Sequence, residues 1–496
     1  MLLFLPLGLF ASPLTALYST LDPTSVAQHF AFYELYPDSF EGRQALQHAW
    51  DLLSGGCTDC DPEMILPTLD AKPIIALVNR SNQNPPLLEE EQLKVIEKLA
   101  KHLPNRKLKG ANIWTKAELF DLKPEEVDLA RGLLIADIGE DRQKIRSYEA
   151  SLDLMALQIL ARLKPNATSL EKVRTINDYI FSELRFRFPP HSLMAKEIDV
   201  YTLLPSVIDS RLGVCLGVSI MYLSLAQRLD LNLEVITPPG HIYVRLNEGE
   251  ITNIETTARG IDVPSERYLG LETRKLQERN IKEVIGLAFV NQASVAWHRE
   301  DPKAAIELYE KGMPFLPKDP LLCTFLGYQY LFIGQKEKAH KLLEQVRNVL
   351  PDHLVAKDTI TEDYLSGKAS PEAIKAIYQE VDATRDSILK KQKELEGIVA
   401  KHPTFRGGVF HLAITHLQLG REKEAIPILE RYMKIDASNP TVCYYLAALH
   451  AQRLNYNAAW KHLKAAETLV HGRDHYPKAL DDLRMQLLRA CPEPLK

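Results

Sequence analysis

Alanine recurs in the last third of the chain with a fixed step. Ala305, Ala339 and Ala373 lie 34 residues apart, and Ala425 and Ala459 repeat the same interval. Each alanine precedes a large apolar residue by four positions: Tyr309, Leu343, Ile377, Leu429 and Leu463. A small residue one helical turn from a large one marks a close helix–helix contact. A repeat of this length is one helix pair that buries its apolar face only by stacking on its neighbours. The spacing therefore predicts an all-α solenoid over 281–496.

Further marks fit the same phase. Pro317 and Pro351 close two units, and Leu326-Gly327 with Tyr330, Leu412-Ala413 and Leu446-Ala447 mark first helices. The period is that of tetratricopeptide repeats, with about five units in 286–473 and the weakest near Ile360–Glu380. The step from Ala373 to Ala425 is longer than 34, and the excess fits an extra helix through Thr384–Lys401. Tyr476–Leu488 reads as a capping helix. Stacked pairs make a groove, and a protein or peptide partner in that groove is the expected use.

A second feature lies upstream. Arg211-Leu-Gly-Val-Cys-Leu-Gly-Val-Ser219 leads into an apolar run with Ile220, Leu223, Ala226 and Leu229 at helical spacing. Cys215 should open this helix, where free N–H groups and the macrodipole favour a thiolate and can serve as an oxyanion hole. Gly213 supplies a tight entry. After a Pro-Pro-Gly break come the β-rich stretch His241–Leu246 and then Ile251–Glu255. A three-residue loop at Asn247-Glu248-Gly249, with Gly249 left-handed, pairs Leu246 with Glu250 and, further along, His241 with Glu255. A loop longer by one residue turns Glu255 to the other face. Thiol, imidazole and carboxylate in this order suit cysteine-nucleophile catalysis.

Gly213-Val-Cys215, the helix after it and the strands with His241 and Glu255 resemble the transglutaminase-like superfamily. Arg211–Arg245 is closer still to its SirB-like branch, which often joins this domain to tetratricopeptide repeats. The resemblance implies an α+β papain-like core over roughly 165–260 and a cysteine peptidase, amidase or amide-exchanging enzyme. It implies catalytic roles for Cys215, His241 and Glu255. Two departures stand out: SirB-like sequences commonly carry Pro where this chain has Cys215, and the third position is Glu rather than Asp. The competing reading is a non-catalytic adaptor that keeps the fold and binds through its repeats.

The organisation expected is therefore multidomain. A signal peptide or first helix (1–22) precedes a mostly helical region (23–165), a transglutaminase-like core (166–280) and the solenoid (281–496). Helical spacing marks Val26–Tyr36, Leu93–Leu103 and Leu152–Leu163, and Thr168-Ser-Leu-Glu171 is a capping box. A net charge of −5 argues against a general nucleic-acid binder. Lys94, Lys98, Lys101, Arg106, Lys107 and Lys109 are expected on a solvated face. Leu2–Phe10 is apolar enough for a signal-peptide core, yet the first basic residue is Arg43. The reading leans to export, periplasmic or secreted, with the cytoplasm as alternative. No later run is long enough to span a bilayer. Of six cysteines only Cys57 and Cys60 are close, which forms no zinc pattern, so neither metal nor cofactor is expected. The pair closes a small disulfide loop only in an oxidising compartment. The sequons at Asn79 and Asn166 matter only in a glycosylating pathway.

Overall fold

The computed structural model describes residues 13–55, 69–79 and 88–491. Leu2–Phe10 and the Cys57–Cys60 pair lie outside the described residues. The chain folds as two compact units. The first comprises the chain up to Pro189 with Tyr201–Glu234 and Val244–Ile261; the second holds Pro190–Val200, Val235–Tyr243 and everything from Asp262 onward.

The first unit is mainly helical. Helices Val26–Leu35 and Phe40–Ser54 are each opened by a serine, Ser25 and Ser39, whose hydroxyl accepts a first-turn N–H. Glu90–Leu99 and Ser169–Asn177 open on capping boxes, the latter the expected Thr168–Glu171 pair. The helix predicted at Leu152–Leu163 is longer, running Arg142–Leu160. It is buried over most of its length, because the helices Phe40–Ser54, Glu90–Leu99, Leu129–Ile138 and Cys215–Arg228 all pack on it.

That arrangement brings charge into the core. Arg228 donates through Nε to Asp153 Oδ1 at 2.7 Å, with both side chains fully buried. Arg106 bonds the other carboxylate oxygen. The basic run predicts a solvated face for Arg106; it turns inward instead, because Asp153 offers a second, desolvated acceptor. Lys94, Lys98, Lys101, Lys107 and Lys109 are exposed as expected.

A hairpin completes the first unit. Strands Tyr243–Glu248 and Glu250–Ile254 pair antiparallel, with Glu248 opposite Glu250, Leu246 opposite Thr252 and Val244 opposite Ile254. Gly249 has φ +96°, as the turn requires. The loop is tighter than expected, since the single left-handed glycine makes the reversal. The register is therefore shifted by two residues, which preserves the faces. The ladder ends at Val244 and Ile254, so the expected His241–Glu255 cross-strand pair is not part of it.

In the second unit, residues 235–237 of the strand Glu234–Thr237 pair antiparallel with Gln277–Arg279. Helix pairs follow: Ile281–His298 with Pro302–Gly312, Pro320–Phe332 with Lys336–Val346, Ile360–Leu365 with Pro371–Tyr378, Arg406–Gln418 with Glu422–Ile435, and Pro440–Gln452 with Tyr456–His471. Ala305, Ala339, Ala373, Ala425 and Ala459 are all completely buried, and so are Tyr309, Leu343, Leu429 and Leu463. The close contact is explicit at Gly327, where an added Cβ would lie 2.7 Å from Leu343 Cδ2. The extra helix runs Arg385–Lys401, opened by Thr384, and the capping helix runs Lys478–Ala490. The third pair is short, its helices spanning six and eight residues. Among the described residues no helix is long and apolar enough to cross a membrane.

Candidate active site

Cys215 is the first residue of the helix Cys215–Arg228, and its side chain is partly exposed. Val214 caps the helix without a side-chain hydrogen bond. The entry is pinned from both sides. Gly213 N–H donates to Arg187 O at 3.1 Å, and Val214 N–H to Tyr201 O at 3.2 Å. Gly213 is needed for space: a Cβ there would lie 2.5 Å from Val218 Cγ2. Gly217 is held more tightly still, its hypothetical Cβ 2.3 Å from Tyr201 O. Two glycines thus seat the first turn against the preceding loop.

Glu255 follows the second hairpin strand and is only 5% exposed. It opens a short 3₁₀ turn, Thr256–Ala258. Its Oε1 accepts from Thr257 N–H at 3.1 Å and from Thr257 Oγ1 at 2.5 Å. Its own N–H donates to Ile261 O at 3.0 Å. Thr256, next in sequence, ties this turn to the helix start. Its hydroxyl lies 3.4 Å from the Cys215 carbonyl oxygen and 3.1 Å from Ser219 Oγ. Ser219 donating to Thr256, and Thr256 to the Cys215 carbonyl, uses each hydroxyl proton once.

His241 belongs to the second unit. The Pro-Pro-Gly break before it is a turn: Gly240 has φ +71°, and His241 N–H donates to Pro238 O at 3.0 Å. The imidazole stacks on Tyr268, with centroids 5.5 Å apart and planes 18° from parallel. Tyr268 stacks in turn on the buried Tyr243 at 4.9 Å. This stack fixes the plane of the ring.

The first unit thus fastens the turn carrying Glu255 to the helix of Cys215, and the second holds the imidazole of His241. Thr256, Thr257 and Tyr268 are contributors that sequence reasoning misses. Two hydroxyl residues directly after a buried carboxylate are a turn-capping signal that points to the first pair. Tyr268 sits in a stretch with no periodicity and leaves no signal. Among the described residues no cluster of three or more His, Cys, Asp or Glu side chains is placed to hold a metal.

Comparison with known proteins gives a family match over this region. Residues 146–272 match the family model of the transglutaminase-like superfamily. The match takes in Cys215, His241 and Glu255, and it begins inside the buried helix Arg142–Leu160. A curated relative, anaphase-promoting complex subunit 7 of Arabidopsis thaliana, is 26% identical over 217 residues, which covers 40% of this chain and 38% of that protein. The chain therefore spans well under half the length of that relative. Among solved structures, the type IV pilus biogenesis factor PilW is 14% identical, covering 42% of this chain and 86% of that one with a TM-score of 0.23. A thermophilic TPR protein of Thermus thermophilus is 15% identical, covering 41% and 98% with a TM-score of 0.20. Scores this low carry no argument; the repeat architecture rests on the helix pairs and their buried alanines. The chain carries a transglutaminase-like domain and tetratricopeptide-like repeats.

Proposed function

We propose that the chain is an acyl-transfer enzyme acting on an amide or peptide bond through Cys215, His241 and Glu255, with the repeats binding a protein or peptide partner. The observation that carries this reading is the thiol at the first position of a buried helix, inside the transglutaminase-like region. Helix N-termini stabilise a thiolate and offer N–H donors to an oxyanion.

The chemistry would run as follows. His241 takes the thiol proton, and the sulfur attacks the carbonyl carbon. The tetrahedral intermediate collapses with loss of the C–N bond, and His241 returns the proton to the leaving amine. A water or a second amine then attacks the thioester, the C–S bond breaks and the thiol is regenerated. Glu255 would orient the imidazole. Hydrolysis makes the protein a peptidase or amidase, and an amine acceptor makes it an amide-exchanging enzyme.

The adaptor reading has an observation of its own. Glu255 Oε1 accepts two bonds from Thr257, a turn-capping role that a structural carboxylate also plays. In that reading the transglutaminase-like fold is a scaffold and the repeats do the work.

Alkylation separates the two. A thiolate-selective electrophile with peptide-level readout should label Cys215 well ahead of Cys491, which is similarly accessible. Cys443 serves as a slow reference, because burial pushes its thiol up to about 11. His241→Ala should slow the labelling of Cys215 and leave Cys491 unchanged. Coincident rates in wild type and His241→Ala would remove the catalytic reading and leave the adaptor.

A further inference from the structure

Six consecutive residues of the second unit, Gly270–Lys275, run along the repeat region, bending at Leu271, Glu272 and Lys275, and are gripped at nearly every position. Thr273 forms an antiparallel bridge with Leu354. Arg274 N–H donates to His353 O at 3.0 Å, and Val355 N–H donates to Glu272 O at 2.8 Å. His475, itself 5% exposed, donates through Nε2 to the Gly270 carbonyl at 2.8 Å. Leu271 packs on the cluster of Val355, Cys443, Ala447 and Trp460. The Glu272 carboxylate accepts from Thr441 Oγ1. Arg274 approaches Asp352 at 3.5 Å, and Lys275 bonds the other oxygen of that carboxylate. The receiving loop is braced from behind, where Arg473 Nη2 donates to Leu354 O at 3.2 Å.

A connecting segment needs few contacts. This one is met by groups from three separate places in the sequence, 352–355, 441–460 and 473–475. They supply strand-like backbone bonds, an apolar seat, a hydroxyl and an anion, which are the means by which proteins read extended peptides.

We infer that Gly270–Lys275 occupies in cis a peptide site of the repeats. The site takes a partner segment that pairs through one β-bridge, with an aliphatic residue, then an acidic one, then two basic ones after a small spacer. The strap is the site's own competitor, so a partner segment gains access only when the strap is released. A tethered competitor acts at an effective concentration of about millimolar. The inference rests on reading the repeats as a partner-binding surface and is independent of the thiol chemistry.

The test uses the full chain and a labelled peptide reproducing residues 267–277, followed by fluorescence anisotropy. Leu271→Asp removes the apolar anchor and should release the Arg274 and Val355 amides to hydrogen exchange. The peptide should then bind at least about tenfold more tightly than to wild type, and adding Asp352→Lys should reverse the gain. Glu272→Arg with Lys275→Glu releases the strap by charge alone and is read in the same way should Leu271→Asp disturb the fold. Released amides without peptide binding overturn the inference, as does equal binding to wild type and variants. Amides that stay protected in both variants overturn it too, since the strap would then be a fixed part of the fold. A failed peptide alongside a partner cross-linked elsewhere on the repeats would sink this site and not the wider reading.

Discussion

Asp153 and Arg228 meet at the centre of the first unit with no exposure at all; at the same depth in the repeat region sit Ala339 and Leu343. The first unit holds its helices with specific charge pairs, Arg131 with Glu149 as well as Arg228 with Asp153. The repeats hold most of theirs with size alternation, a small residue facing a large one, and have one buried charge cluster, where Arg406 meets the fully buried Asp363. A buried ion pair tolerates no missing partner, because the charge left behind has lost its water. An alanine contact tolerates loss of area but not added bulk. The two kinds of contact should therefore fail in opposite ways: the charge pairs of the first unit by truncation, the alanine contacts of the repeats by overpacking.

The largest effect should come from Arg228→Met. It leaves Asp153 with one of its two guanidinium partners and should cost the first unit about 3–5 kcal/mol in urea unfolding. Adding Asp153→Leu should recover only part of that loss, because it also strips Arg106 of its carboxylate partner. A cost below about 1 kcal/mol would break the comparison, since the pair would then behave like a surface ion pair.

Ala339→Leu comes next. The new side chain must enter a contact that is completely closed, and the solenoid should lose about 1–3 kcal/mol. Labelling of Cys215 should hardly change. An unchanged melting temperature would mean that the buried alanines do not set the helix spacing.

The smallest effect sharpens the comparison through pH. Burial, with Lys391 nearby, pushes His411 in the repeats down to about 4. The unfolded chain takes up this proton near pH 6.5 and the folded chain only near pH 4. Stability is therefore complete above pH 6.5 and falls as the pH drops toward 4. At pH 5 the loss from this group should be about 1–2 kcal/mol. Asp199 opposes it, since burial raises its carboxyl to about 6 and acid relieves that cost. The contribution of His411 is thus read as the difference between wild type and His411→Leu across pH 5–7. A difference that does not vary with pH would remove the histidine as its source.

The same contrast explains what is legible in the sequence. The five alanines share one environment, so one rule finds them all, and the break in phase correctly places the Arg385–Lys401 helix. Cys215 at a helix start is equally legible, because the apolar stripe after it is local. Arg106 and Asp153 are not, since each takes its role from a partner far along the chain. The hairpin shows the limit at finer scale. The left-handed position of Gly249 is readable, yet whether it makes the turn alone or with two neighbours is decided by strand pairing on either side. That decision moves the register by two residues, and the ladder ends before it reaches His241 and Glu255. The strap at Gly270–Lys275 has no period and no motif, and its meaning appears only with the residues that hold it.

The short third helix pair bears on how the repeats would carry load. A stacked array transmits tension from one interface to the next and parts where the interface is smallest. The pairs on either side are built from helices of eleven to fourteen residues, against six and eight here. Ile360, Tyr364 and Tyr378 are shared between the cluster of the first two pairs and the cluster of the later ones. Pulled from its ends, such an array should yield first at residues 360–378, and both blocks would lose core there, since Ile374 belongs to the earlier cluster and Ala373 and Ile377 to the later one.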